Sequence, residues 1–412
     1  GHLPLLLHPA PRRVAVMCLG TGTTLGAAFL HEEVEQLDVL EISPAVVAAA
    51  PWFLAVNNGA LEPAAAARVR VRSGDGRRLL ADSPGTYDVV TMEPLLPDSP
   101  FGVYLYTREF YAVAARALAP GGIVCQWVPP HALEPRVFDA VVSSFSRAFP
   151  WSGRFLFGSQ LVLIGAAREP LLDPARFPPS DSALGLALAS VNLQSAGGVV
   201  STFQGAAAWP KSERELSDDA PWIVFLEKPA DARVFTWLGV NLARLEQLKS
   251  PSPPAWIDAA GADAAGCSRA ASLLLRARIQ AAETEASLRR PGANPLEPRP
   301  ASAEWAELAK LGEAGALGQA LIDEQRYFAN LRQGVAHIAT DPQAAVERLL
   351  TAVELRTERG DTHVYLSAAL HGLGSDRAAR AALARAIELC PRILETTAGQ
   401  RAARLGLPDA QP

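Results

Sequence analysis

Three acidic residues, Glu41, Asp75 and Glu93, stand at or just beyond the ends of successive runs that have the pattern of β-strands. A carboxylate accepts hydrogen bonds from hydroxyl and amino groups, and it can also take a proton from a reacting amine. The carboxyl ends of neighbouring parallel strands meet at one edge of a sheet, where ligands bind. We therefore expect the three acids to line one crevice that holds a polar ligand.

The first of these runs leads into a glycine-rich turn, in which Gly20 and Gly22 are followed by Gly26. A turn of this kind between a strand and a helix lets a ligand approach the backbone closely, and Glu41, about 20 residues further on, can accept two hydrogen bonds from ribose hydroxyls. The glycine spacing departs from that of dinucleotide-binding folds. The glycine turn together with Glu41 favours a nucleotide-like cofactor. The alternative is an ordinary strand-helix-strand unit with a solvated Glu41.

Asp75 lies between two glycines, Gly74 and Gly76. An aspartate can accept a hydrogen bond from an exocyclic amine such as that of adenine, and the flanking glycines let a base approach the backbone. Glu93 precedes Pro94, where an isolated glutamate would ordinarily be a solvated loop residue. As the third acid at successive strand ends, Glu93 is predicted to be functional.

The hydrophobic periodicity places these residues on an alternating series of strands and helices. This alternation predicts a mostly parallel sheet that is covered by helices on both faces, and residues 155–165 predict a closing hairpin at its edge. Residues 170–229 are expected to contain one helix and a loop with Asp218 and Asp219. The predicted strands are 14–19, 37–41, 69–72, 87–92, 122–128 and 160–165, and the predicted helices are 24–32, 44–57, 108–118 and 134–148.

A different organisation begins after about residue 230, where the composition becomes rich in alanine. A helical connector over 231–300, ending in a proline-rich linker at 290–300, is expected to precede a helical region at 301–412. Within that region residues 344–355 match residues 378–389 at an offset of 34, the period of tetratricopeptide repeats. These repeats are expected to bind a protein partner or to mediate self-association; the alternative is a cap on the first domain.

Composition excludes several classes of function. The 412 residues have a formal net charge of −5 and a pI of about 5.9, which argues against a nucleic-acid-binding surface. The four cysteines contain no C-x-x-C pair, and no metal site is expected. Since no apolar run reaches the length of a membrane span, we expect a cytoplasmic chain.

An ordered series of motifs in residues 1–230 resembles the spermidine synthase family of polyamine aminopropyltransferases. It is most similar to bacterial spermidine synthase-like proteins that are often fused to a transporter-like membrane domain. The motifs that carry the resemblance are Gly20-Thr-Gly22, Leu40-Glu41-Ile-Ser-Pro44, Gly74-Asp75-Gly76-Arg77, Tyr87-Asp88, Leu105-Tyr106-Thr107-Arg108, Leu118-Ala-Pro120-Gly121-Gly122, Gln126-Trp127 and Asp218-Asp219-Ala-Pro221.

The resemblance implies a class I S-adenosylmethionine-dependent methyltransferase-like (Rossmann-like) sandwich over residues 1–230, without the β-rich amino-terminal domain of the family. It also implies that decarboxylated S-adenosylmethionine donates an aminopropyl group to a polyamine or diamine, with release of 5′-methylthioadenosine and no metal. If the full-length protein has a transporter-like domain, the location would be the cytoplasmic face of a membrane.

The family's functional residues carry over onto matching positions of this sequence. By resemblance, Glu93 would accept the proton of the attacking amine, Glu41 would bind the ribose, and Asp75 would bind the adenine amine. The remaining cofactor-binding positions are Gly20, Gly22 and Gly76, and the remaining substrate-binding positions are Tyr104, Tyr106 and Gln126, for which core packing is the alternative.

Two other functions remain open. A methyltransferase that uses S-adenosylmethionine itself would share the fold, the glycines and Glu41. A non-catalytic scaffold that binds a nucleoside or a polyamine is the other alternative, because Leu96 stands where the family usually has a second aspartate.

Overall fold

The computed structural model describes residues 1–206, 208–226, 234–249, 264–288, 303, 304, 307, 310, 319–357, 359–390, 393–395 and 397–408. They form two compact units, one within residues 1–283 and the other consisting mainly of residues 319–408. The proline-rich linker predicted at 290–300 lies outside the described residues.

Eight strands of the first unit form one sheet, in the order β3-β2-β1-β4-β5-β7-β6-β8. Strands β1 to β5 are parallel, whereas β7 runs antiparallel to β5 and β6, and β8 runs antiparallel to β6. This order confirms the predicted class I methyltransferase-like sheet and its closing hairpin. The strands are Arg13–Met17 (β1), Gln36–Glu41 (β2), Val69–Ser73 (β3), Tyr87–Met92 (β4), Leu118–Val128 (β5), Trp151–Phe157 (β6), Gln160–Ala166 (β7) and Phe203–Gly205 (β8).

Helices of the first unit cover both faces of this sheet. They are His2–Leu7 (α1), Thr23–Phe29 (α2), Pro44–Ala49 (α3), Leu54–Asn57 (α4), Gly76–Ala81 (α5), Arg108–Ala117 (α6), Pro135–Ala148 (α7), Ala183–Ser190 (α8), Ala196–Thr202 (α9), Val234–Gln247 (α10) and Ala264–Leu288 (α11). No helix in the described part of the chain combines the length and the apolarity that a membrane crossing requires.

Alternate residues of the buried strands supply two separate hydrophobic cores. On β1, Ala15 and Met17 belong to the core that α5, α6, α7 and α10 cover, whereas Val14 and Val16 belong to the core under α1, α2, α8 and α9. Side chains of a strand point alternately to the two faces of a sheet, so an uninterrupted apolar run serves both cores. The run that predicts β1 is of this kind, whereas β2 and β4 also serve both cores but contain Asp38 and Asp88.

The structure differs from the predicted secondary structure in three places. The helix expected over 44–57 is interrupted by a 3-10 turn at Ala50–Phe53, because Pro51 has no N–H to continue the helical bonds, and the chain turns away at Asn58 (φ 53°). Strand β5 starts at Leu118, four residues earlier than predicted, with an irregular register opposite β4. The described part of residues 170–229 contains two α-helices, α8 and α9, instead of one.

The second unit is helical. Its helices are Gln319–His337 (α12), Pro342–Leu355 (α13), Gly360–Gly372 (α14), Asp376–Leu389 (α15) and Thr397–Leu405 (α16). The two segments matched at an offset of 34 lie in α13 and α15. Two of their shared alanine pairs, Ala345 with Ala379 and Ala352 with Ala386, are fully buried. The assignment to tetratricopeptide repeats and the expected binding surface stay predictions.

A buried carboxylate in the middle of β2 joins three strands. Asp38 is 1% exposed and accepts hydrogen bonds from Arg70 Nε (3.0 Å) on β3, from Tyr87 Oη (2.8 Å) on β4 and from Gln36 Nε2 (2.9 Å). Burial by itself would raise the pKa of Asp38, but the hydrogen bonds from Arg70, Gln36 and Tyr87 outweigh it and lower the pKa below its ordinary value.

We expect Asp38→Asn to make the stability of the protein less sensitive to acid. Because the pKa of Asp38 is lower in the folded chain than in the unfolded chain, its stabilising contribution is present above about pH 4 and is lost as the pH falls through the folded pKa. At pH 7 the variant should lose about 1.5–3 kcal/mol of unfolding free energy, the value of a charged hydrogen bond.

Urea unfolding of both proteins at pH 7 and at pH 3 tests this expectation. The difference between wild type and variant should shrink at pH 3, whereas Asp82→Asn, at an exposed site, should leave the wild-type dependence unchanged. An equal difference at the two pH values would contradict the role given to Asp38.

Candidate functional site

The glycine turn after β1 has a backbone that only a few residue types adopt easily. Gly20 (φ +53°) and Gly22 (φ +82°) lie in the left-handed region, which costs glycine little. A side chain on Gly22 would also place its Cβ 2.8 Å from Cβ of Asn57. The turn therefore brings bare backbone to the carboxyl edge of the sheet, immediately before α2 begins.

The Glu41 carboxylate, at the end of β2, holds this turn in place. Its Oε2 accepts the backbone N–H of Leu19 (2.8 Å), and its Oε1 accepts the backbone N–H of Ser43 (2.8 Å). Glu41 is 6% exposed. Since each carboxylate oxygen has two lone pairs, one on each oxygen is left to accept a ligand hydroxyl.

Glu93, directly after β4, is attached to the helix that follows the glycine turn. Its Oε1 accepts a hydrogen bond from Thr24 Oγ1 (2.6 Å) in the first turn of α2, and the residue as a whole is exposed. Burial and the nearby charges of Glu41 and Glu93 raise the pKa of Cys18 to about 12. The thiol between the two acids therefore stays protonated and is unsuited to act as a nucleophile.

The turn with Asp75 adjoins Glu41 through the backbone, because Gly74 N–H donates to the carbonyl of Glu41 (3.0 Å). Asp75 is exposed and caps α5 by accepting the N–H of Arg77 (2.9 Å) at Oδ1. A Cβ on Gly76 would lie 3.0 Å from Cε of Met17, so glycine lets α5 pack closely on β1. Contact of Gly76 with a ligand stays a prediction.

The structure separates the three residues predicted to bind the amine. Tyr106 and Gln126 are both fully buried; Tyr106 Oη donates to the carbonyl of Leu95 (3.1 Å), and Gln126 Nε2 donates to that of Leu105 (3.4 Å). Burial raises the pKa of Tyr106. Tyr104 is 37% exposed. Tyr106 and Gln126 thus form a buried layer below the loop that follows Glu93, whereas Tyr104 lies at the surface.

Comparison with known proteins gives this arrangement a family context. Residues 1–157 match the spermine/spermidine synthase domain. The chain is 35% identical over 153 residues to spermidine synthase 2 of Hyoscyamus niger. This alignment covers 37% of this chain and 48% of that protein. It is 32% identical over 150 residues to the polyamine aminopropyltransferase of Bacillus cytotoxicus, and this alignment covers 36% of this chain and 53% of that protein.

Residues 1–157 are therefore similar to the spermine/spermidine synthase domain. The chain spans about half the length of the known relatives it matches. The crystal structure of spermidine synthase from Thermotoga maritima is 22% identical and covers 45% of this chain and 64% of that one, with a TM-score of 0.38. The strand order of the chain itself defines the fold.

Two contacts of the site are not evident from the sequence. Thr24 has an ordinary position in a helix, and nothing local indicates that it meets Glu93, 69 residues away. Arg77 forms a bidentate ion pair with Asp218, 141 residues away. The motifs that contain Arg77 and Asp218 were visible in the sequence, but their pairing was not. Among the described residues, no three His, Cys, Asp or Glu side chains group as metal ligands would.

We expect Glu41→Gln to destabilise the protein even without a ligand. A glutamine has one acceptor oxygen, so its amide NH2 would face the backbone N–H of either Leu19 or Ser43. The free energy of unfolding should fall by about 1–3 kcal/mol, the cost of an unsatisfied buried group. Urea unfolding measures this loss. Glu35→Gln, at a side chain that is 61% exposed, is the control and should have little effect; equal stability of Glu41→Gln and wild type would contradict the structural role.

Proposed function

We propose that this chain is an aminopropyltransferase, which moves the aminopropyl group of decarboxylated S-adenosylmethionine to an amine. The observation that supports this most is the placement of three acids around one glycine turn in a spermine/spermidine synthase domain. Glu41 binds the turn directly, Glu93 binds the helix that leaves it, and the backbone before Asp75 binds the carbonyl of Glu41.

The nucleoside part of the donor fits the adjacent ends of β2 and β3. In this proposal the ribose hydroxyls donate to the remaining lone pairs of Glu41, and the adenine amine donates to Asp75, which is exposed. The left-handed turn leaves room for the sulfonium and its aminopropyl chain at Gly20, which has no Cβ and has no atom within 4 Å of the place where one would lie.

In this proposal Glu93, an exposed carboxylate directly after β4, is the proton acceptor. An amine attacks carbon only when its nitrogen has a free lone pair, so the ammonium form must first lose a proton. The nitrogen then forms a bond to the carbon next to sulfur, the carbon-sulfur bond breaks, and its electron pair stays on sulfur, which leaves as the neutral thioether of 5′-methylthioadenosine. The proton of the amine passes to the Glu93 carboxylate. Thr24 fixes one carboxylate oxygen, which limits the rotation of a side chain that would otherwise be mobile.

The loop after Glu93 bears on the choice of acceptor. Leu95 is 73% exposed and Phe101 is 85% exposed, and Leu96 occupies the third position after Glu93. These side chains offer apolar contact to a methylene chain and no charge to a distal ammonium group. The acceptor is therefore a polyamine or a diamine, as in the family, or an amine with a single charged end.

Glu93→Gln should abolish most of the turnover and leave nucleoside binding intact. Removal of a general base typically reduces the rate by a factor of about 100 to 10,000, whereas the ribose and adenine contacts proposed here do not involve Glu93. Release of 5′-methylthioadenosine from decarboxylated S-adenosylmethionine, measured with a panel of monoamines, diamines and triamines, gives the rate. Calorimetric titration with 5′-methylthioadenosine gives the binding.

The matched variant is Thr24→Val, which leaves the carboxylate but removes its hydrogen bond. It should reduce kcat less than Glu93→Gln does, because the base is still present but less well oriented. Transfer of a methyl group from S-adenosylmethionine, with no reaction of the decarboxylated donor, would replace the proposal by a methyltransferase. No binding of any of the three nucleosides would leave a non-catalytic scaffold.

A further inference from the structure

Residues 209–218, which we call the strap, lie beyond the part of the chain that matches the spermine/spermidine synthase domain. The first residue of the strap, Trp209, contacts α7. Trp209 packs edge-on against Phe138, with ring centroids 5.8 Å apart, and its Nε1 donates to Asp139 Oδ1 (3.2 Å). Ser212 N–H then donates to Ser143 Oγ (3.1 Å), so the strap follows α7 for more than one helical turn.

The strap next reaches the start of α6. The Glu215 carboxylate lies 3.5 Å from Arg147 on α7 and 3.5 Å from Arg108 on α6. The backbone carbonyl of Leu216 accepts the N–H of Arg108 (3.1 Å), and Leu216 itself is fully buried. Packing, a backbone hydrogen bond and ion pairs therefore fix the path of the strap before it arrives at the site.

Asp218, at the end of the strap, joins the first turns of α5 and α6. Its Oδ1 accepts hydrogen bonds from Thr107 Oγ1 (2.7 Å) and Arg77 Nη1 (2.8 Å), and its Oδ2 accepts one from Arg77 Nη2. Asp218 N–H in turn donates to Glu109 Oε2 (3.0 Å). The hydrogen bonds from Arg77 are the largest of the effects that lower the pKa of Asp218, so this carboxylate is charged at neutral pH.

The ion pair between Arg77 and Asp218 connects the strap to the turn that contains Asp75. The backbone N–H of Arg77 already donates to Asp75 Oδ1 (2.9 Å), and its guanidinium also reaches the carbonyl of Tyr104 (3.4 Å). Arg77 thus donates a backbone hydrogen bond to Asp75 and side-chain hydrogen bonds to Asp218. A bidentate pair between an arginine and a carboxylate fixes both direction and distance, which a single ammonium group would not do.

We propose that Asp218 is a positioning residue for nucleoside binding, and that it acts through Arg77 on the turn that carries Asp75. The inference rests on the proposed function, because it takes Asp75 as the partner of the base. It makes the strap a working part of the site, although the strap lies outside the matched domain. Asp218 itself touches neither the base nor the reacting atoms in this proposal.

The chain offers a matched pair of controls. Asp219 is the neighbouring acid and is exposed, and Arg78 is the neighbouring arginine, whose ion pair is with Asp82 directly after α5. Asp218→Asn and Arg77→Lys remove the bidentate pair with little change in side-chain volume. Asp219→Asn and Arg78→Lys make the same chemical changes at positions that do not join the strap to α5.

The test is made on the full 412-residue chain. We expect Asp218→Asn to raise the Kd for 5′-methylthioadenosine and the KM for decarboxylated S-adenosylmethionine about tenfold, a factor suited to a lost orienting contact. The KM for the amine and kcat at saturating donor should stay within about twofold. Arg77→Lys should have a similar effect, and the double variant should be no worse than either single one, because both changes break the same link.

Several outcomes would overturn the inference. Unchanged nucleoside affinity in Asp218→Asn would do so, as would an equal effect of Asp219→Asn, or a fall in kcat and amine affinity that matches the fall in donor affinity. The last pattern would indicate general loosening of the fold, which urea unfolding of each variant measures directly. If Asp218→Asn does not fold, Arg77→Lys alone provides the same readout. If the wild-type chain binds no nucleoside, the proposed function fails first and this inference fails with it, whereas wild-type binding with unchanged affinity in the variants refutes only the inference.

Discussion

The hydrogen bonds of the Glu41 carboxylate to Leu19 and Ser43 are the constraint on which the rest of the site depends. The glycine turn has left-handed residues and few side chains of its own, so it does not define a single conformation by packing. A charged acceptor at the end of β2 fixes it from the neighbouring strand. Once the turn is fixed, α2 begins at a defined point, and Thr24 can meet Glu93. A residue that is expected to bind ribose thus also builds the surface to which ribose would bind.

The sequence predicted much of the fold because its apolar runs are short, regular and bounded by glycine or by acids. All six predicted strands are present, and the three acids lie at the carboxyl ends of β3, β2 and β4, of which β3 and β2 are neighbours while β1 separates β2 from β4. Prediction was weaker where one residue changes the local geometry. Pro51 splits a segment that otherwise has helical periodicity, and the glycines at 121 and 122 did not show that β5 already begins at Leu118.

Contacts between distant segments could not be predicted from one sequence. The Thr24 to Glu93 bond and the Arg77 to Asp218 pair each require that two helices or loops be brought together by the whole sheet. Nothing in the local pattern distinguishes Arg77 from Arg78, yet only one of these neighbours pairs with the strap. The helical repeat was easier to detect, because a period of 34 is a property of the sequence itself, and α13 and α15 have the same offset.

The unit that folds is larger than the unit that matches the family. The match ends at residue 157, the last residue of β6. In the sheet, β5 and β6 are joined only through β7, which lies beyond the end of the match. Without residues 160–166, β5 would present an unpaired edge, and β6 would lose β7, which pairs with its whole length, and would keep only the short pairing with β8. The strap and α10 then complete the core on the face of α6 and α7, through Trp209, Leu216 and Leu242. Any activity of the matched domain is therefore a property of a compact unit that extends at least to the strap, and the residues that position a ligand need not lie among those that define the family.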